Sequence, residues 1–173
     1  TLAVLGYADT GGRGIIAASE DTGAFTDYIF GDGMISEVTA GAIADGSWGA
    51  KPSPSAELQA AWEVVATAGG VDGSGVYSGE SYDAMALIIL AAQAAGSTDR
   101  AAIQAQVMNV ANAPGNKCHA GKLGECLKMI SGGLPVDYVG ATGVELDAVG
   151  TPNGSYAEQE VIAGAFTTVT VHN

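Results

Sequence analysis

The chain has 173 residues, enough for one sizeable domain or two small ones with a buried core. Nineteen acidic residues against six basic give a formal charge of −13, which excludes a nucleic-acid partner for want of Lys and Arg to neutralise phosphates, and disfavours anionic lipid. The periodic apolar segments exclude a disordered chain, and no apolar run reaches the roughly 18 residues that a membrane-spanning helix needs.

Residues 2–7, ending in Gly6-Tyr7, read as a short buried parallel strand. They carry neither a charged n-region nor a small-residue cleavage site, so they are not a signal peptide; a strand with no lead-in reads as the back part of something longer. After the Gly11-Gly12 turn, Ile15, Ile16, Ala18 and Ser19 predict a helix that stops near Gly23. A second buried strand over 27–31 (DYIFG) leads into the tight turn at 31–33 and a helix over about 35–44. This strand–helix alternation predicts an α/β fold with a parallel sheet. Residues 46–54, broken by Pro52 and Pro54, read as a linker. Ser55 then caps a helix whose Leu58, Ala61, Trp62 and Val65 follow the i, i+3, i+4, i+7 stripe. An almost wholly apolar helix is predicted over 80–95, and another over 100–110 capped by Ser97 or Thr98 and stopped by Asn112-Ala113-Pro114-Gly115. A short helix over 123–130, strand-like pieces over 136–139 and 144–146, a turn over 147–155 and a long β-prone run over 159–171 complete the chain.

Cys118 and Cys126 are separated by seven intervening residues, with His119 directly after the first. Zinc needs four ligands, and beyond His119 the loop adds only Glu125. A disulfide closes such a loop easily and is worth roughly 2–3 kcal/mol, so it is the favoured reading, with free buried thiols and a metal as alternatives. Two paired cysteines in an acidic chain point to an oxidising compartment. No nucleophile arrangement is present: G-x-S-x-G is absent, and His119 and His172 sit in a loop and at the extreme C-terminal end. The phosphate-loop-like stretch at 46–51 has the wrong spacing. Asn153-Gly154-Ser155 matches a glycosylation acceptor. The chain therefore reads as a non-enzyme with no cofactor and no metal. What remains is a set of polar groups where strands end and helices begin: Tyr7 and Asp9 after the first strand, Asp32 after the second, and Glu80, Ser81, Tyr82 and Asp83 opening the apolar helix. Ligands of open α/β sheets bind at such strand ends, and helix starts favour anions; the alternative is that Asp32 is a turn residue and Ser81 or Asp83 a helix cap.

The segments ESYDAMALIILAAQAAGSTDRAAI, NVANAPG and LPVDYVGATGVELDAVGTPNGSY, with VLGYAD and YIFGDGM upstream, resemble the periplasmic substrate-binding proteins of branched-chain amino-acid ABC transporters, the type I periplasmic binding proteins. The resemblance covers nearly the whole chain but only the back part of the family's pattern. It implies two α/β parallel-sheet lobes, each incomplete in this chain: residues 1–50 in the second lobe, 51–157 in the first, and 158–173 forming a hinge crossing and a return to the second. It further implies a small, branched-chain amino acid held at the hinge, with Asp32 taking the ammonium and Tyr7 and Tyr82 covering the side chain. Asp9, Ser81 and Asp83 are secondary candidates. A permease partner and a periplasmic location follow from the same resemblance; a ligand-sensing ectodomain, or a binder of an amide or aromatic acid, is the alternative. The incomplete sheets, with open edges, predict a homodimer.

Overall fold

A computed structural model describes residues 1–36 and 45–172. The chain divides into two compact units, Thr1–Ser53 together with the segment from Ser155 onward, and Pro54–Gly154. The helix expected over 35–44 falls almost entirely outside the described residues.

The first unit is a five-stranded sheet. β1 (Leu2–Val4), β2 (Tyr28–Phe30) and β3 (Trp48–Pro52) run parallel, and β6 (Tyr156–Ile162) and β7 (Ala165–His172) close the order β1-β2-β3-β6-β7 through antiparallel pairs. Helix α1 (Gly12–Thr22) follows β1 and stops at Gly23, whose left-handed φ of 63° suits a residue without Cβ. Val4, Ile16, Tyr28, Phe30, Met34 and Ile35 form the core, and Phe166 meets the Phe30 ring edge-on at 5.9 Å.

Three expectations change here. The first strand ends at Val4, because Gly31 N–H takes the Val4 carbonyl at 3.3 Å as the last ladder bond and the chain then leaves the sheet, with Leu5 82% exposed. Residues 48–52 are not a linker but the central strand, with Pro52 at its last position, where a missing N–H costs least. Gly49 permits the close pairing with β2, since a Cβ there would lie 2.6 Å from the Phe30 carbonyl oxygen. The long β-prone run is a hairpin, split by Ala163 and Gly164 with φ of 52° and 76°, the left-handed pair that matches the twist of two antiparallel strands.

The second unit holds α2 (Ala56–Ala68), α3 (Ser78–Ala95), α4 (Arg100–Ala111), β4 (Asn116–His119), α5 (Leu123–Ser131) and β5 (Val136–Gly140). β4 and β5 pair in parallel, with Cys118 opposite Tyr138. Ala86, Leu90 and Ala91 of α3 pack with Val110, Val136, Tyr138 and the two cysteines. Ser55 caps α2 as expected, accepting from Leu58 N–H at 3.4 Å. α4, however, is capped by Asp99 rather than Ser97 or Thr98: one Asp99 oxygen accepts from the amides of Ala101 and Ala102 at 3.0 and 3.1 Å. A carboxylate there serves two orphan donors and the positive helix end together. Residues 144–146 are not a strand beyond a single Leu146–Pro152 bridge. Asn112 clamps both backbone groups of Leu146, at 2.8 and 2.9 Å, and so supplies the partners a strand would need.

Cys118 and Cys126 are joined as a disulfide between β4 and α5, and both are fully buried. The bridge closes a short loop, so the Cys118→Ala/Cys126→Ala variant should lose about 2–3 kcal/mol of unfolding free energy. Urea unfolding compared with the parent chain checks this. An unchanged midpoint would mean that packing alone holds β4 against α5.

Candidate functional site

In the first unit, the carboxyl ends of β1 and β2 are neighbours because the strands pair in register, Leu2 with Tyr28. Beyond β1 the chain runs Leu5-Gly6-Tyr7 into a 3-10 turn, Ala8–Thr10, and the Tyr7 carbonyl accepts from Gly12 N–H at 3.1 Å. Beyond β2 it enters a second 3-10 turn, Asp32–Met34. Tyr7 lies against this turn: a Cβ at Gly33 would sit 2.6 Å from the Tyr7 ring, so glycine is what lets the ring lie there. Asp32 Oδ1 accepts from Gly33 N–H at 2.9 Å, which fixes the side chain, while Oδ2 takes no hydrogen bond among the described residues. Tyr7 is 67% exposed and Leu5 more open still, while Asp32 is half-buried. Asp9 is exposed on the first turn, without a side-chain partner among the described residues. The structure thus gathers Tyr7, Leu5 and Asp32 into one patch of aromatic, aliphatic and carboxylate surface.

In the second unit, α3 opens differently from a capped helix. Tyr77 precedes it in the left-handed region at φ 64°, and its side chain makes no cap bond to the first turn. Ser81 is exposed and, like Asp83, is not a cap; its amide bonds back to the Tyr77 carbonyl at 2.9 Å. Tyr82 packs its ring on Trp62 at 4.9 Å and accepts from Gly121 N–H at 3.0 Å through its hydroxyl. Trp62 in turn donates its indole N–H to Ser78 Oγ at 3.2 Å.

Asp83 is buried and saturated. Oδ1 accepts from Tyr138 O–H at 2.7 Å and Ala141 N–H at 2.8 Å; Oδ2 accepts from Thr142 N–H at 2.9 Å and Thr142 O–H at 2.7 Å. Its carboxylate ties α3 to the end of β5 and has both oxygens engaged within the unit. Burial, then the Asp83 charge, pushes the Tyr138 phenol well above its ordinary value.

Sequence reasoning passed over Tyr77. A bulky residue with positive φ is a backbone outlier, the kind of strain that collects at ligand-contacting positions, and Tyr77 is 41% exposed. Nothing in the string YSGESYD marks it, because left-handed positions are normally signalled by Gly or Asn. An open groove of about 720 Å³ lies where α3 ends, lined by Ile89, Ala92, Ser97 and Leu127 among others. It offers no charged group and so does not suit a zwitterion. Among the described residues, no three His, Cys, Asp or Glu side chains gather as a metal would require.

No known family pattern and no curated protein matches the chain. Among solved structures, the leucine-binding protein LivK of Thermotoga maritima superposes over 99% of this chain and 44% of its own, with a TM-score of 0.65 at 19% identity. The fold is that of the type I periplasmic binding proteins, in part. An ABC transporter substrate-binding protein of Desulfitobacterium hafniense, solved with Leu, matches over 96% of this chain and 43% of its own, with a TM-score of 0.48 at 16% identity. The chain thus spans less than half the length of either protein. Within this partial periplasmic-binding-protein fold, the Tyr7–Asp32 patch occupies the strand ends where α/β sheets bind ligands.

Proposed function

We propose that the chain binds a small amino acid, branched-chain first among them, and serves an ABC permease from the periplasm as a substrate-binding protein rather than an enzyme. The observation that carries this reading is the pairing of a fixed, half-buried Asp32 carboxylate with the open Tyr7 ring and Leu5 at adjoining strand ends. A carboxylate with a free oxygen takes an ammonium through a charge-assisted bond. An aromatic ring covers an aliphatic side chain at low entropic cost. Tyr82, the other aromatic candidate, belongs to the second unit, where its hydroxyl is engaged with Gly121 and its ring packs on Trp62. The fold likeness to a protein named as leucine-binding supports the choice of ligand class.

Thermal unfolding against a panel of amino acids tests it. A ligand at 100 times its dissociation constant adds about 2.7 kcal/mol, so Leu, Ile or Val should raise the melting temperature clearly. Asp32→Asn keeps an oxygen for Gly33 N–H but removes the charge, and should weaken binding about ten- to hundredfold while leaving the free protein's melting temperature near the parent's. A shift that survives Asp32→Asn would displace the ammonium from this carboxylate. No shift from any amino acid would remove the ligand class.

A further inference from the structure

Asn153-Gly154 is the one Asn-Gly step in the chain, and the structure leaves it open to chemistry. Both residues are exposed. The Asn153 backbone is held, its N–H donating to the Glu145 carbonyl at 2.8 Å, but its carboxamide has no partner among the described residues. The Gly154 amide likewise makes no hydrogen bond among the described residues. A glycine nitrogen carries no neighbouring Cβ to bar its approach, so the nucleophile and the carbonyl carbon beside it are both free. We infer that Asn153 is a site of spontaneous deamidation.

The backbone nitrogen of Gly154 attacks Cγ of Asn153, the bond from Cγ to the carboxamide nitrogen breaks, and ammonia leaves with the proton the glycine nitrogen gives up. The five-membered succinimide then takes up one water at either carbonyl carbon. Opening at one carbon gives aspartate; opening at the other gives isoaspartate, with the chain now running through the former side chain. Either product adds a carboxylate, and the isoaspartyl form adds a methylene to the backbone. Both fall between the Leu146–Pro152 bridge and the start of β6 at Tyr156, where Ser53 N–H bonds the Ser155 carbonyl at 3.0 Å and the chain crosses from the second unit to the first.

The other candidates of this chemistry are tied down. The three Asp-Gly steps offer carboxylates, poorer acyl electrophiles than a carboxamide. Asp72 Oδ1 already accepts from Ser74 N–H and O–H, at 2.9 and 2.7 Å. At Asp45-Gly46 the carboxylate accepts from Gly164 N–H, and Gly46 N–H donates to the Val161 carbonyl at 3.0 Å. At Asp32-Gly33 the glycine amide donates to the Asp32 side chain. Asn112 is clamped at both ends of its carboxamide by Leu146, and Asn116 donates to the Pro135 carbonyl at 2.8 Å.

The test is incubation of the full chain in mildly alkaline buffer at physiological temperature, followed by peptide mapping. The expected result is the mass gain of an NH-to-O exchange confined to the peptide containing residue 153. That peptide should split into two isomers, one of which accepts a methyl group from S-adenosylmethionine through an isoaspartyl methyltransferase. Gly154→Ala should slow the gain several-fold and Asn153→Gln should abolish it, both with the parent's melting temperature because the residues are exposed. A gain that maps first to Asn109, Asn112 or Asn116, or none at residue 153, overturns the inference.

Discussion

Asp83→Ala should cost the second unit about 3–5 kcal/mol of unfolding free energy. The carboxylate is 3% exposed and receives four hydrogen bonds, two from backbone amides that cannot turn away. Removing it leaves the Ala141 and Thr142 N–H groups and the Tyr138 and Thr142 hydroxyls short of an acceptor, and each buried donor without one costs about 1–3 kcal/mol. Asp83→Asn should recover little. Each Asp83 oxygen faces one backbone N–H, so either orientation of the carboxamide sets an NH₂ against a donor. The packing leaves no slack either, because Gly140 holds φ 64° and a Cβ there would fall on Asp83 Oδ1. Urea unfolding read through Trp62, in a Trp48→Phe background so that the signal belongs to this unit, measures the loss. A shift of only a few tenths of a kcal/mol for Asp83→Ala would mean that water replaces the carboxylate and that the site is wetter than its burial indicates.

Asp83 also shows what is legible in the chain and what is not. Two of the first unit's parallel strands, β1 and β2, announce themselves as short apolar runs followed by glycine, and they and α1 are found where periodicity and turn residues place them, within a few residues. β3 is hidden because Pro52 and Pro54 look like linker chemistry, although only Pro52 is in the strand and it is the last residue there. β4 is hidden because only Cys118 of Asn116–His119 is buried, which leaves no alternation to see. Asp83 reads locally as a cap or a ligand group, since its true partners lie 55 to 59 residues away, beyond any local pattern. Tyr7 and Asp32 were legible as a pair for the opposite reason. Each lies in the turn that follows a short strand, Tyr7 beyond Val4 and Asp32 beyond Phe30, and parallel pairing brings those consecutive strand ends together.

Tyr138 makes the same anchor sensitive to alkali. Its phenol sits in the core, and burial followed by the Asp83 charge raises its proton affinity in the folded state, whereas the unfolded phenol titrates near its ordinary pKa of about 10. Below about pH 10 both states hold the proton, and the contribution to stability is present in full. Above it the unfolded chain releases the proton while the folded chain keeps it, so unfolding is favoured by up to about 1.4 kcal/mol per pH unit. Tyr138→Phe removes the titrating group together with one donor to Asp83, at a cost of about 1–3 kcal/mol at neutral pH. The parent should therefore be the more stable chain at neutral pH, and its advantage over Tyr138→Phe should shrink as pH rises past about 10. Urea midpoints of the two chains measured from neutral pH to about pH 11 decide it. Parallel curves would mean that the phenol ionises in the folded chain as readily as in the unfolded one, and that the Tyr138–Asp83 hydrogen bond is not what holds α3 to β5.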